Sequence, residues 1–406
     1  MKILILTQYY PPEIGAPQNR LHELAVRLKA NKLDVEVLTA MPNYPSMKIF
    51  DTYKNSQIKE EIIDGVKVYR SRIYVSTSKG ILSRLLNYFS FVFTSYFRGI
   101  KLGQYDYLMV ESPPLFLGYS AIALSKKMKA KLIFNVSDLW PESAEKLEIV
   151  TNKFLLKFAY NLESKCYAKS HFITGQTKGI VDDISKRFPS KKVYWLPNGV
   201  DLNFYNPKNI EVNRFRSKNN FNKEHILFFY GGILGHAQGL QVILKAAKLL
   251  IDYEMVQFLI QGSGPDKAEL VKLKDELNLS NVHFLNPVSK SEMPQVLKDI
   301  DVALVPLRKL DLFKGAIPSK VFEALSMEKP LLLGVDGEAK YHFIDNANAG
   351  LFFEPENEVD LAKQILFLIN NKVEIVRMGK NGRNYVDEFF NRNKIAQEFY
   401  ELLVKC

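Results

Sequence analysis

The chain has 406 residues, 47% of them hydrophobic, and a formal net charge of +11 at pH 7. This length exceeds one ordinary core and predicts two domains of roughly 200 residues each. The only cysteines are Cys166 and Cys406, so neither a disulfide framework nor a cysteine-rich metal cluster is indicated, and a reducing compartment is expected.

Apolar, strand-like runs alternate with helical patterns along almost the whole chain. Helical patterns occupy residues 18–30, 240–252, 265–277 and 358–370. The alternation predicts an α/β fold with two doubly wound, Rossmann-like domains, each a parallel sheet covered by helices on both faces. The predicted strands are residues 2–7, 35–39, 66–72, 107–111, 132–136, 171–174, 193–196, 226–230, 257–261, 282–285, 302–306, 331–333 and 350–353.

The boundary between the domains is predicted near residues 196–204, where Pro197, Asn198 and Gly199 interrupt regular structure. The predicted domains are residues 1–200 and 201–406, with a polar connector at 208–224. A last helical pattern at 395–403 could pack back on either domain. Ligands of doubly wound sheets bind beyond the carboxyl ends of the strands, so two facing domains predict a cleft lined by two sets of loops.

The region from residue 66 to residue 131 has eleven lysines and arginines but only two acidic residues. Within it, residues 81–98 combine six aromatic residues with a polar stripe, which predicts an amphipathic helix too polar to span a membrane. The helix is either interfacial or buried between a sheet and the surface. In the interfacial alternative, Arg84, Tyr88, Phe91 and Arg98 contact an acceptor or anionic lipid. Nucleic acid is not expected, because no recognition motif accompanies the charge.

Glycine turns follow several predicted strands and lead into helices. Gly15 follows the first strand, Gly232 follows the strand at 226–230, and Gly262 and Gly264 follow the next one. Glycine lets a phosphate approach the backbone, and a helix start offers N–H donors. Such turns also use glycine for purely steric reasons, so each is a weak signal alone.

A helix is predicted to begin at Pro318 and Ser319, with Lys320 in its first turn. The free N–H groups, the helix dipole and the ammonium group together favour an anion there. Glu323, one turn on, is placed to accept hydrogen bonds from ribose hydroxyls. The alternative is an ordinary capped amphipathic helix whose Glu323 faces water.

Asp138, Trp140 and Glu142 follow the strand at 132–136. An indole ring and carboxylates are a common pairing for sugar binding. Asp138 could instead cap the next helix. The six histidines show no zinc-ligand spacing, and no Walker lysine motif is present, so nucleotide hydrolysis is not expected.

Six motifs spread along the chain resemble those of family-four glycosyltransferases of the GT-B fold, close to bacterial O-antigen and capsule enzymes of the fucosaminyltransferase type. The resemblance implies a nucleotide-sugar donor in the second domain, an acceptor in the first, and metal-free transfer with retention of configuration and no cofactor. The motifs are Gln8-Tyr9-Tyr10-Pro11-Pro12-Glu13-Ile14-Gly15-Ala16, Asp138-Leu139-Trp140-Pro141-Glu142-Ser143, Pro197-Asn198-Gly199-Val200-Asp201, Gly235-His236-Ala237-Gln238-Gly239-Leu240, Gly262-Ser263-Gly264-Pro265 and Pro318-Ser319-Lys320 with Glu323.

The chain departs from the wider family at three positions. Of the family's two glutamates spaced eight positions apart, the first falls on Gly315 and the second on Glu323. The family's usual arginine and lysine after the glycine turn fall on Ile233 and Gln238. Gln238 nevertheless stays in the predicted donor site.

Other positive groups must therefore neutralise the diphosphate. We expect His236, Lys320 and Arg308 to do this together with helix N-termini. Asp138 and Glu142 are candidates for orienting the acceptor or acting as base, although the departing phosphate can take the acceptor proton.

The acceptor expected from the basic, aromatic region is a polyprenyl-diphosphate-linked sugar at the cytoplasmic face of the plasma membrane. The donor is expected to be a UDP-sugar, with guanine left open as the base. Two alternatives remain: a nucleotide-sugar 2-epimerase of related fold, and a catalytically degenerate sugar-binding protein.

Overall fold

The computed structural model describes residues 1–13, 15–54, 60–78, 80–146 and 150–406. Ile14 of the first motif and Lys79 of the basic region therefore lie outside the described residues. The chain divides into two compact units, one made of Met1–Asn198 with Arg392–Cys406 and the other of Gly199–Asn391. Each unit contains one sheet of mainly or wholly parallel strands with helices packed on it, which confirms the predicted fold class.

The first unit has an eight-stranded sheet in the order β3-β4-β2-β1-β5-β6-β7-β8. All its pairings are parallel except that of β3 with β4. Its strands are β1 (Lys2–Leu6), β2 (Asp34–Ala40), β3 (Glu60–Ile63), β4 (Val66–Ser71), β5 (Tyr107–Ser112), β6 (Lys131–Val136), β7 (Phe172–Gly175) and β8 (Val193–Trp195). Its helices are α1 (Ala16–Ala30), α2 (Ile81–Gly99), α3 (Leu117–Met128), α4 (Glu142–Lys146), α5 (Lys153–Lys169), α6 (Lys178–Arg187) and, at the end of the chain, α15 (Arg392–Lys405).

The two faces of this sheet carry separate cores because successive side chains of a strand point to opposite faces. Leu4 and Leu6 of β1 pack into the core that also contains side chains of α2, α3 and α5. Ile3 and Ile5 pack into the core formed with α1 and α15. Both faces are apolar and covered, so the strands are continuous hydrophobic runs.

The second unit has a six-stranded sheet in the order β11-β10-β9-β12-β13-β14, and every pairing is parallel. Its strands are β9 (Ile226–Ile233), β10 (Val256–Ser263), β11 (Val282–Leu285), β12 (Val302–Pro306), β13 (Leu331–Gly334) and β14 (Gly350–Phe352). Its helices are α7 (Arg214–Lys218), α8 (Gln241–Leu249), α9 (Lys267–Glu276), α10 (Met293–Asp299), α11 (Ser319–Ser326), α12 (Glu338–Lys340), α13 (Glu358–Asn370) and α14 (Lys372–Phe389).

All thirteen predicted strands are present, and one further strand of the described residues, β3, was not predicted. The stretch predicted as a polar connector, 208–224, instead contains α7, and its Arg216 is buried. Arg216 donates to Asp301 over 2.6 Å and to the carbonyl of Asp299 over 2.7 Å, which fixes this segment to the second unit. In the part of the chain that the structure describes, no helix is long and apolar enough to cross a membrane.

Candidate active site

The glycine turns after β9 and β10 lie side by side, with Gly232 opposite Gly262 in the register. Both have positive φ, 143° and 153°. A Cβ on Gly262 would lie 1.8 Å from the carbonyl oxygen of Gly232, and one on Gly264 would lie 2.1 Å from that of Leu234. Gly262 and Gly264 therefore have a steric reason to be glycine, and their identity alone does not indicate a ligand.

Gly232 differs from these two because it faces a charged group. A Cβ at this position would lie 3.0 Å from the Nζ atom of Lys320. The same Nζ atom lies 3.7 Å from the centroid of the Tyr230 ring, in cation–π geometry. Tyr230 in turn donates its hydroxyl to the carbonyl of Ile233 over 2.6 Å, so the ring is held in place.

Burial lowers the pKa of Lys320 from its usual 10.5 to about 7, against the opposing charge of Glu323. Some surface of the side chain stays accessible, but the ammonium group is surrounded by protein. A lysine in such surroundings gains more from an incoming anion than a fully hydrated one, because desolvation strengthens the pairing.

Lys320 lies in the first turn of α11, which begins at Ser319 after Pro318. Among the described residues, no side chain caps this end of the helix. Its first N–H groups and the positive end of its dipole thus lie on the same turn as the ammonium group. Glu323 is half-buried one turn further along.

A second group of polar side chains, which includes the Arg308 guanidinium, follows β9 and β12. His236 is exposed, and its Nε2 atom contacts the guanidinium of Arg308. Arg308 donates its backbone N–H to the carbonyl of Ala237 over 3.0 Å, and its Nε atom lies 3.5 Å from Glu356. Gln238 is half-buried beside them and donates its backbone N–H to Gly235. His236, Gln238 and Arg308 are thus brought together after β9 and β12.

Gly15, by contrast, lies in the first unit, at the start of α1. A Cβ there would lie 2.4 Å from the Oε1 atom of Gln18, whose side chain folds back over it. The backbone of Gly15 is extended, with φ 177°.

Asp138 and Glu142 both follow β6 and are partly exposed. The Oδ1 atom of Asp138 accepts a hydrogen bond of 2.5 Å from Ser143, the second residue of α4. Glu142 forms an ion pair of 2.6 Å with Lys146 on the same helix. The Trp140 ring packs edge-to-face on Phe116, with centroids 5.7 Å apart.

A buried polar network beside Asp138 was not predicted from the sequence. Arg20 of α1 donates over 2.6 Å both to Glu111, at the end of β5, and to Ser137, at the end of β6. Asn135 contacts the other oxygen of Glu111 and accepts a hydrogen bond of 2.7 Å from the hydroxyl of Thr174 in β7. The one signal of this network in the sequence was Glu111, a glutamate at the end of an apolar strand. Its partners could not be identified because they are distant in sequence.

The four residues predicted to contact acceptor or lipid have different surroundings on α2. Arg84 is exposed, and Tyr88 is half-buried against Phe116. Arg98 is paired with Glu60 over 2.8 Å. Phe91 is fully buried in the core, so the prediction that it contacts acceptor or lipid is wrong: its side of the helix faces the sheet.

Among the described residues, no cluster of three or more histidine, cysteine, aspartate or glutamate side chains could hold a metal ion.

Two family models match the chain, one to each unit. Residues 15–199 match the glycosyl transferase 4-like domain, and residues 211–385 match the glycosyl transferases group 1. The Escherichia coli (strain K12) protein WcaI, which carries the name colanic acid biosynthesis glycosyl transferase, is 25% identical over 334 residues, covering 80% of this chain and 81% of its own.

Solved structures share the fold along the whole chain. Sucrose-phosphate synthase from Thermosynechococcus elongatus superposes with a TM-score of 0.77 at 16% identity and covers 100% of this chain and 99% of its own. Anabaena HepE, solved in complex with UDP-glucose, superposes with a TM-score of 0.72 at 15% identity, covering 100% of both chains.

The two matched domains and these relatives make the chain a glycosyltransferase. More particularly, it belongs with the family-four enzymes of the GT-B fold, as the six motifs indicated. Its assignment to the fucosaminyltransferase type stays a prediction.

Proposed function

We propose that this enzyme transfers a sugar, with retention of configuration and without a metal, from a UDP-sugar to a lipid-diphosphate-linked saccharide during synthesis of a surface polysaccharide. The observation that carries the donor half is the position of Lys320: a partly desolvated ammonium group beside a glycine turn and the start of a helix. This arrangement suits a diphosphate, which combines high negative charge with many acceptor oxygens.

The difficult step of such a transfer is departure of the nucleoside diphosphate from the anomeric carbon. Negative charge develops on the leaving oxygen while the sugar acquires oxocarbenium character. Fixed dipoles and cations near the diphosphate lower this barrier without reorganising during the reaction. Lys320 and the start of α11 would supply part of that field, and the contacting pair His236 and Arg308 the rest.

Glu323 would accept hydrogen bonds from the ribose hydroxyls, as a carboxylate one turn behind the phosphate site can do. Uracil is the favoured base because HepE, of the same fold, was solved with UDP and with UDP-glucose. Polysaccharide synthesis is favoured by the name of WcaI.

On the acceptor side, Asp138 would orient the attacking hydroxyl. Its hydrogen bond from Ser143 fixes the carboxylate while leaving it partly exposed. Attack on the face from which the diphosphate departs lets a phosphate oxygen receive the proton, so Asp138 need not act as base. Glu142 is less suited, because its ion pair with Lys146 directs it along its own helix. A lipid-linked acceptor places the enzyme peripherally at the inner face of the plasma membrane.

The proposal is tested by screening nucleotide sugars for thermal stabilisation and then measuring turnover with the best one. A ligand that binds only the folded state raises the melting temperature. Lys320→Met and Glu323→Gln should lose this stabilisation, whereas Lys245→Met, which removes an exposed lysine of α8, should keep it. Unchanged stabilisation in both site variants would contradict the donor site.

Turnover separates the rival functions. Release of UDP that depends on an acceptor supports the transferase. Conversion of the donor alone into an epimer would identify a 2-epimerase, and binding without release of UDP a degenerate sugar-binding protein.

A further inference from the structure

Helix α2 exposes a row of large apolar side chains along its length. Leu82 is 71% exposed and Phe93 62% exposed, and Leu86 and Phe97 are exposed as well. Spacings of four, seven and four residues place all four on one side of the helix. Contiguous exposed apolar surface of this kind marks an interaction site on a folded protein.

Asn87, Ser90 and Thr94 of the same helix face the protein instead. Asn87 donates a hydrogen bond of 2.6 Å to the carbonyl of Tyr74, and the Ser90 hydroxyl accepts one of 2.8 Å from the backbone N–H of Tyr74. Thr94 donates to the carbonyl of Arg72. These bonds hold the helix in a rotation that leaves Phe93 and Phe97 exposed.

A second apolar group lies at the start of α5. Phe154 is 86% exposed there, and Leu155 and Phe158 are also exposed. The Phe158 ring lies 6.3 Å from that of Tyr119 on α3, and α3 packs against both α2 and α5. Together, α2, α3 and α5 form one surface over the same core, hereafter the three-helix face.

The charge of the three-helix face has a single sign. The described residues of the three helices include only one acidic side chain, Glu163, which is buried and paired with Arg187 over 2.8 Å. Arg98 is the one cation among them paired with an acid elsewhere, Glu60. The cations of the three helices are Arg84, Arg98, Lys126, Lys127, Lys153, Lys157, Lys165 and Lys169.

We infer that the three-helix face binds an anionic lipid bilayer, with the side chains of α2 and α5 entering the interface and the lysines contacting headgroups. Exposed phenylalanines beside uncompensated cations are the combination that such a surface binds. A second copy of this face fits less well, because two surfaces of the same charge repel each other. The inference deepens the proposed function, on whose lipid-linked acceptor it rests, and adds α5 as a contact.

The first turn of α3 lies at the carboxyl edge of the sheet because α3 follows β5. Helix α5 comes after β6 and the short α4 and ends just before β7, which is parallel to β6, so its first turn lies at the same edge. Asp138 follows β6 at the same edge. Binding through the start of α5 would therefore hold the edge that carries Asp138 next to the membrane, where a lipid-linked acceptor emerges.

The test is flotation of the full chain with vesicles of phosphatidylcholine, with and without phosphatidylglycerol. We expect binding that requires the anionic lipid. Phe93→Ser and Phe154→Ser should each weaken it about tenfold, since each removes an aromatic ring that would be buried in the lipid interface. Lys153→Gln with Lys157→Gln should weaken it about fivefold per charge at low salt.

The matched control is Val373→Ser, which removes a 79% exposed apolar side chain from α14 of the second unit and should leave binding unchanged. No binding at low salt, or binding that the two serine variants do not alter, would overturn the inference. Self-association in solution that these variants abolish would also overturn it, in favour of a second copy. Titration of the same protein with UDP tests the donor site separately. Normal UDP binding without membrane binding would contradict this inference and leave the donor site in place.

Discussion

Replacing Lys320 by methionine removes a buried ammonium group while keeping most of the side-chain volume. The lysine pKa is lowered from 10.5 to about 7, so protonation of the folded protein at neutral pH is costly. At about 1.4 kcal/mol per pKa unit the shift corresponds to at most ~5 kcal/mol. Because the side chain is partly exposed, we expect about 2–4 kcal/mol.

The sign of the effect on stability follows from proton binding. Between pH 7 and 10 Lys320 is protonated in the unfolded chain but largely neutral in the folded chain. Lys320 therefore lowers the free energy of unfolding most below pH 7, and the effect disappears at high pH, where the lysine is neutral in both states. Lys320→Met should therefore be more stable than the wild type at pH 6, with an advantage that shrinks as pH rises. Urea unfolding at pH 6, 7.5 and 9 measures it.

The same substitution should weaken UDP binding, because a charge-assisted hydrogen bond contributes about 1.5–3 kcal/mol, or roughly 10–150-fold in affinity. Above pH 7.5 the phosphates are fully ionised, so wild-type affinity should fall with pH as Lys320 loses its proton. Lys320→Arg, which stays charged, should give a flat profile by calorimetry. A Lys320→Met variant that is destabilised at pH 6, or that binds UDP as the wild type does, would refute this reasoning.

Three further predictions concern stability and reactivity. Gly262→Ala should lower the free energy of unfolding by about 2–3 kcal/mol in denaturant titrations, because its Cβ would meet a carbonyl oxygen. Gly315→Ala is the control: a Cβ there meets open space, so the free energy of unfolding should change by less than about 0.5 kcal/mol. Equal losses in the two variants would contradict the packing. Arg20→Met should lower the free energy of unfolding by about 3–5 kcal/mol, because it leaves the buried Glu111 carboxylate without its positive partner. Adding Glu111→Leu should recover much of that loss. A double variant no more stable than Arg20→Met would argue against the pairing. Burial raises the pKa of Cys166 to about 12, so a maleimide should label it only after unfolding; rapid labelling of the native protein at Cys166 would show that it is accessible.

The strands were predictable because buried parallel strands are continuous apolar runs. Strands β11 and β12 match their predicted ranges to the residue. Strand β3 was missed because it is short, antiparallel and at the sheet edge, where its two glutamates are accessible. Its sequence lacks the continuous apolar run that is typical of a strand buried on both faces.

The rotation of α2 could not be predicted from its sequence. Periodicity showed a polar stripe and an apolar stripe, and an amphipathic surface helix ordinarily exposes the polar one. Here that stripe is bonded to the backbone of Arg72 and Tyr74, which only the tertiary structure brings alongside. Phe91 was wrongly assigned to the acceptor or lipid surface because periodicity alone does not show which aromatic side chains of the helix face the sheet.

The candidate donor site was predictable in its parts but not in its assembly. Local signals located Lys320 at a helix start and Gly232 in a turn. The cation–π contact between Lys320 and Tyr230 joins residues ninety positions apart, and the lowered pKa depends on that packing.

The central claim is that the second unit binds a nucleoside diphosphate at the start of α11. A crystal structure of the protein saturated with UDP tests it most directly. We predict the diphosphate within hydrogen-bond distance of the Lys320 ammonium group and the first N–H groups of α11, with the ribose on Glu323. UDP bound elsewhere on the chain, or no UDP at a saturating concentration, would contradict the account.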